Sequence, residues 1–191
     1  MPDQPRANRG PSAGPANRAA LIAAARAVFA EIGYTAPLSA IARRAGVGQG
    51  SLYRHFPDRI ALALAVFDDN IDDLEEIAES EQSTLVDLFD RVAEQAMAST
   101  ALIDLITSQR HDHRAEALGA RVAAVAERIL ARDRAAGRIR AEVSTDDVML
   151  AVGMLAFLLS RTPDDERRAA AERARGIFRA AFGYRKDGGG Q

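Results

Sequence analysis

Apolar residues along the chain recur at three- and four-residue spacing and nowhere alternate over a strand's length, so the pattern predicts an all-α protein of about nine helices. Residues 1–16, rich in Pro, Gly, Asn and Gln, read as a disordered arm. Asn17 can cap a first helix whose inner face carries Leu21, Ile22, Ala25, Val28, Phe29 and Ile32, and Gly33 stops it. Pro37 suits the first position of a short second helix, because its missing N–H is no loss there. Leu38, Ile41, Ala42 and Ala45 form that helix's inner face and Gly46 ends it. Val47 and Gly48 make a tight corner before a third short helix, from about Gln49 to His55, with Leu52 and Phe56 inward. Pro57 and Asp58 open a long fourth helix with Ile60, Leu64, Phe67, Ile71, Leu74 and Ile77 along one stripe.

Further on, Ser83 or Thr84 can cap a helix carrying Leu85, Leu88, Phe89 and Val92, and a short helix is expected around Ala101–Ser108. His111–His113 reads as a corner. Leu118, Val122, Val125 and Ile129 mark a long helix ending near Gly137. Ser144 or Thr145, with Asp146 and Asp147 behind, places a cap and acidic first-turn charges before the apolar run Val148–Leu159. Pro163 to Glu166 open the last helix, with Ala170, Ala174, Ile177, Phe178 and Ala181 expected inside, and residues 184–191 read as a disordered tail.

Composition narrows the field. The 191 residues are 48% hydrophobic, enough for a packed core, and hold no cysteine, which removes disulfides, thiolate metal sites and cysteine nucleophiles. The first residues have no apolar signal core, and Val148–Leu159 is too short for a bilayer, which needs about 20 residues. A cytoplasmic protein with no membrane partner is expected. Net charge is −2, yet residues 1–67 hold eight Arg against Asp3, Glu31 and Asp58. The remaining residues hold 17 basic and 24 acidic groups. A basic front and an acidic rear suggest that only the front meets phosphate.

The informative stretch is LSAIARRAGVGQGSLYRHF, Leu38–Phe56: two short helices about a glycine corner, the geometry of a helix-turn-helix. Ile41, Val47 and Leu52 hold it together, and small Ala42 lets the helices approach. The outward positions are Gln49, Gly50, Ser51, Tyr53, Arg54 and His55, the donors and acceptors that a recognition helix carries into the major groove. Gln49 can bond base edges and Gly50 admits a close backbone. Ser51, Tyr53, Arg54 and His55 suit phosphates, as does Arg59 in the first turn of the next helix. Arg43 and Arg44 lie on the outer side of the first helix of the pair.

This stretch resembles the N-terminal domain of the TetR family over roughly residues 18–67, through Phe29, Gly33-Tyr34, Ile41-Ala42, Ala45-Gly46-Val47, Gly50, Leu52-Tyr53 and Phe56-Pro57. Gly137-Arg138-Ile139-Arg140 followed by Asp146-Asp147 is similar to that family too. The resemblance implies a homodimer on a palindromic DNA operator, usually a repressor, released when a small-molecule ligand in the C-terminal domain moves the fourth helix. It implies base contacts from Gln49, Gly50 and Tyr53, and backbone contacts from Ser51, His55 and Arg59. Gly48 stands where the family often has Ser, Gln49 where Lys is frequent, and Pro37 where Thr or Ser often caps; the link from Tyr34 to Ile41 is one residue short.

The expected domains are the arm 1–16, a DNA-binding domain 17–67 with its motif at 37–56, a regulatory and dimerisation domain 68–183 and the tail 184–191. The apolar run Val148–Leu159 needs cover on several sides, which a four-helix bundle from two chains supplies. The expected dimer residues are Val152, Leu155, Ala156, Leu159, Ala174, Ile177, Phe178 and Ala181. A mainly apolar effector would lie among Leu74, Leu88, Phe89, Val92, Met97, Leu102, Ile106, Met149 and Phe157. His111, Asp112, His113 and Glu116 lack a strong ligand spacing, so neither metal nor other cofactor is expected. The acidic run Asp68–Glu81 reads as a solvated helix face. No phosphate loop, nucleophile elbow or acid/base pair supports an enzyme. The remaining alternative is a helical small-molecule-binding or interaction module that does not bind DNA.

Overall fold

The computed structural model describes residues 14–98, 103 and 113–183. Among the described residues all regular structure is helical, in eight helices: α1 (Gly14–Ile32), α2 (Leu38–Arg44), α3 (Gln49–His55), α4 (Arg59–Glu79), α5 (Leu85–Ala98), α6 (His113–Ala135), α7 (Thr145–Arg161) and α8 (Arg167–Phe182). The helix expected around Ala101–Ser108 lies, apart from Ile103, outside the described residues, as does the tail 184–191. The chain divides into two compact units at Val66/Phe67.

The first unit is built on α1. Leu21, Ile22, Ala24, Ala25, Val28 and Phe29 are buried along it. The helix begins at Gly14, so Asn17 lies inside it and caps nothing, and residues 14–16 are helical rather than part of an arm. Pro15 is tolerated because the first turn asks no N–H of it. Ile32, expected inside, is 59% exposed, since its position falls beyond the last buried turn. Pro37 is extended (φ −62°, ψ 134°) and stands before α2 as its N-cap rather than as its first helical residue. Gly46 then closes α2 in the left-handed conformation (φ 67°). Its N–H donates to the Arg43 carbonyl and the Val47 N–H to the Ala42 carbonyl, at 3.2 and 3.0 Å, a Schellman closure that turns the chain sharply into α3. The Asp58 carboxylate accepts from the Ala61 N–H at 2.6 Å and starts α4.

The second unit packs α7 chiefly against α5. Thr84 and Asp87 form a capping box at the start of α5, and Ser144 and Asp147 form another at α7. The core holds Leu88, Val92, Val125, Ile129, Leu155 and Leu159, with Phe89, Phe178 and Phe182 clustered at ring separations of 5.2 to 6.3 Å. Among the described residues its one charged member is Asp133, fully buried. One carboxylate oxygen accepts from the Leu85 N–H at 2.9 Å and the other from Arg138 at 2.8 Å. This residue, which the sequence pattern gave no reason to single out, ties the end of α6 to the start of α5. The inner face of α8 also differs from expectation: Ala171, Ala174, Phe178 and Phe182 are buried, whereas Ile177 and Ala181 are exposed and Ala170 is half-buried.

Candidate nucleic-acid interface

Ile41, Ala42, Leu52 and Phe56 are at most 3% exposed, so they fix α2 and α3 against α1. Each large one contributes about 1.5–3 kcal/mol by leaving water. With that side taken, Gln49, Gly50, Tyr53 and Arg54 are exposed on α3 and Ser51 and His55 half-buried. Gln49, Gly48 and Val47 share a cleft of about 390 Å³ with Ser39 and Arg43 of α2. The structure therefore brings Arg43 and Gln49 together and adds Ser39, which sequence reasoning passed over because its place opposite the corner appears only once the two helices cross. Gly48 is the N-cap of α3 and supplies no side-chain cap; the Ser51 and Leu52 N–H groups both reach its carbonyl, at 2.9 and 3.1 Å.

Two of the expected cations are engaged inside the unit. Arg44 pairs with Glu31 at 2.5 Å. The hydrogen bond from Arg44, then its charge, holds the Glu31 carboxyl below its usual range. Arg59 donates through Nη1 to the carbonyls of Tyr34 and Ala36, and its guanidinium lies 5.3 Å from the centre of the Tyr34 ring. Burial pushes the Tyr34 hydroxyl up, against the pull of Arg59. Arg59 thus braces the link between α1 and α2, a role its sequence position did not suggest. Arg18 lies over Phe56 at 5.6 Å, putting a further cation beside α3.

In the second unit, Leu74, Leu88, Phe89 and Val92 of the expected pocket are buried core, and Met97 and Met149 pack against it. Phe157 is 53% exposed on α7 and lines no interior space, a correction that follows from its position opposite Leu155 and Leu159. Leu102 and Ile106 lie outside the described residues. Of the expected dimer face, Leu155, Leu159, Ala174 and Phe178 are buried in the protomer's own core, and Val152 and Ala156 are half-buried. The uncovered apolar residues are instead Leu150, Met154, Phe157 and Leu158 on α7 and Ile177 on α8. His111 and Asp112 also fall outside the described residues; among the described residues no group of three metal-ligating side chains occurs. Nor, among them, is any helix long and apolar enough to cross a membrane.

The acidic face of α4 is more than solvated. Arg121 of α6 donates to Asp68, to Asp72 at 2.6 Å and side-on to Glu75 at 2.7 and 2.8 Å. The bonds to Glu75 and Asp72, outweighing a small desolvation, push the guanidinium pKa further up, and the same bond holds Glu75 below the carboxylate range.

A three-helix front unit with an outward polar recognition helix defines a helix-turn-helix DNA-binding protein. Residues 21–66 match the family model of bacterial regulatory proteins, tetR family, and residues 80–178 match that of the transcriptional regulator SbtR-like C-terminal domain. The chain belongs to the TetR family of transcriptional regulators. Among solved structures it is similar to the TetR transcriptional regulator SCO0520 of Streptomyces coelicolor, at 28% identity and TM-score 0.61 over 86% of this chain and 97% of that one. A TetR regulatory protein of Mycobacterium vanbaalenii matches at 25% identity and TM-score 0.65, over 90% and 97%. GusR of Salmonella enterica, at 18% identity and TM-score 0.64 over 93% and 100%, shares the fold. No curated protein matches the chain significantly.

Proposed function

We propose that this regulator is a homodimeric, ligand-responsive repressor that reads a palindromic DNA operator in the cytoplasm and performs no chemistry of its own. The observation that carries the reading is the face of α3: Gln49, Tyr53 and Arg54 stand exposed on a helix locked from behind by Leu52 and Phe56. Gln49 and Gly50, nearest the helix N-terminus, meet base edges, with Tyr53 beside them. Ser51, Arg54, His55 and Arg43 hold phosphates and set the register. Ser39, on the same cleft as Arg43, joins them. Arg44 and Arg59 act one step back, by bracing α2.

Dimerisation through the last two helices is supported by the exposed Leu150, Met154, Phe157 and Ile177, apolar side chains that a second copy would remove from water. The effector is a small, mainly apolar molecule housed in the second unit, whose core is built from Leu, Ile, Val and Phe with Met97 and Met149 packed against it.

The test is duplex binding by Tyr53→Ala/Arg54→Ala beside the unaltered protein. Wild type is expected to bind with an affinity that falls steeply with salt, and the double variant to lose most of it while keeping its helical circular dichroism. Equal binding by both proteins would refute the assignment of α3.

A further inference from the structure

The exposed face of α7 carries a strip of residues that mirror one another about a point between Gly153 and Met154. Its exposed residues are Asp146, Asp147, Leu150, Gly153, Met154, Phe157, Leu158 and Arg161. Within them, Asp146, Leu150, Gly153, Phe157 and Arg161 recur at spacings of four, three, four and four residues, which keeps them on one side of the helix. A point between Gly153 and Met154 lies halfway between Leu150 and Phe157, and again halfway between Asp146 and Arg161. Leu150, Met154 and Phe157 are 64%, 56% and 53% exposed, and a Cβ added at Gly153 would meet nothing within 4 Å.

Resting on the homodimer proposed above, we infer that α7 meets α7 of a second copy antiparallel, with the two-fold axis between Gly153 and Met154, and that Asp146 and Arg161 fix this register by pairing across it. In an antiparallel pair each residue lies level with the one equally far beyond the midpoint on the other chain. Met154 then fills the notch left by the partner's Gly153, as a knob enters a hole. Leu150 meets the partner's Phe157, and Asp146 meets the partner's Arg161, twice per dimer. At 1.5 Å per residue the charges sit about 11 Å either side of the axis, one pair at each end of the apolar seam. Arg161 is already drawn over the Phe157 ring at 5.5 Å, which holds it on this face.

Other arrangements lose the match. Slid by one turn, the antiparallel pair sets Asp146 against the partner's Leu158, or Leu150 against the partner's Arg161. A parallel pair sets Asp146 against the partner's Asp146. All of these lose the pairing of Asp146 with the partner's Arg161, and the parallel one sets like charges together, which disfavours the arrangement.

Charge exchange tests the register. Arg161→Glu places carboxylates on both sides of each contact, and Asp146→Arg places guanidinium groups there. Each variant alone is expected to raise the dimer dissociation constant roughly tenfold or more. Mixed together, the two variants restore opposite charges at both ends, so a heterodimer is expected to form with near wild-type affinity in sedimentation velocity. Because the native chain has no cysteine, Met154→Cys in otherwise wild-type protein gives an independent reading: it is expected to cross-link to its own copy under mild oxidation, and Ile177→Cys is not. A wild-type dimer whose affinity neither charge variant alters, with Met154→Cys uncross-linked, would overturn the register while leaving the dimer standing. A wild-type monomer at micromolar concentration would overturn both.

Discussion

A guanidinium offers five N–H donors in a fixed plane, and where it directs them decides what an arginine does. Arg59 directs Nη1 at the carbonyls of Tyr34 and Ala36 and rests on the Tyr34 ring, so it holds the link that feeds α2. Arg59→Ala is therefore expected to lower the melting temperature of the DNA-binding unit as well as operator affinity, whereas Arg54→Ala is expected to leave the melting temperature unchanged. Scanning calorimetry beside duplex titration separates the two. Removing Arg54, if it holds a phosphate, should weaken binding to every duplex alike and reduce the log–log salt slope by about 1. Asp133 is the opposite case, a carboxylate with no exposure whose oxygens are both occupied. Asp133→Ala leaves the Leu85 N–H and the Arg138 charge without their partner, and urea unfolding should show a loss of about 3 kcal/mol. The polar face of α3 was legible because a seven-residue helix with Leu52 inside leaves few choices for the rest. Asp133, Ser39 and the engagements of Arg44 and Arg59 were not, since each depends on a residue distant in sequence meeting it in the fold.

Helix boundaries followed local chemistry where one residue decides them. The α3 limits fell at Gln49 and His55 as the pattern predicts, and the capping boxes at Thr84 and Ser144 used one of the two candidates offered at each site. Boundaries failed where a proline decides: Pro15 let α1 begin early, and the extended ψ of Pro37 delayed α2 by one residue. Faces failed where a helix is apolar most of the way round. In α7 the period does not say which apolar side turns inward, and the answer placed Leu155 and Leu159 inside and Phe157 outside. Asp146 and Arg161, exposed at the ends of the outward face, mark that side, which the apolar period alone does not. On α4, Asp68, Asp72 and Glu75 would repel one another along one face were Arg121 not among them. Arg121→Met is expected to lower the melting temperature modestly, by an amount that shrinks as salt rises, because the group is partly exposed and screened. Its dependence on acidity follows from Glu75, whose carboxyl is held low by the bond from Arg121. That contribution is complete above the usual carboxylate range, about pH 4.3, and is lost as pH falls through the lowered folded value, so the gap between variant and wild type should close in acid.

For the whole molecule, the division at Val66/Phe67 separates a basic unit from an acidic one. The eight arginines of residues 1–67 face three carboxylates, while the remaining residues carry an acidic surplus that repels phosphate, so the charge that steers DNA belongs to the unit bearing α3. The family's two parts were unequally legible. Glycine, proline and aromatic positions fix the corner of the front unit residue by residue, whereas a helical bundle of Leu, Ala and Val is satisfied by many sequences and names no ligand. Phe157→Glu, which puts a carboxylate in the uncovered face of α7, is expected to leave the protomer folded and to give a monomer that binds an operator half-site only weakly, as sedimentation and duplex titration would show. Selection from a pool of random duplexes, repeated at two salt concentrations, tests the central claim most directly. A palindrome with half-sites about 34–36 Å apart, centre to centre, or a multiple of that spacing, bound more weakly at higher salt, is the expected result. Enrichment of no sequence at either salt concentration would contradict sequence-specific operator reading by this chain.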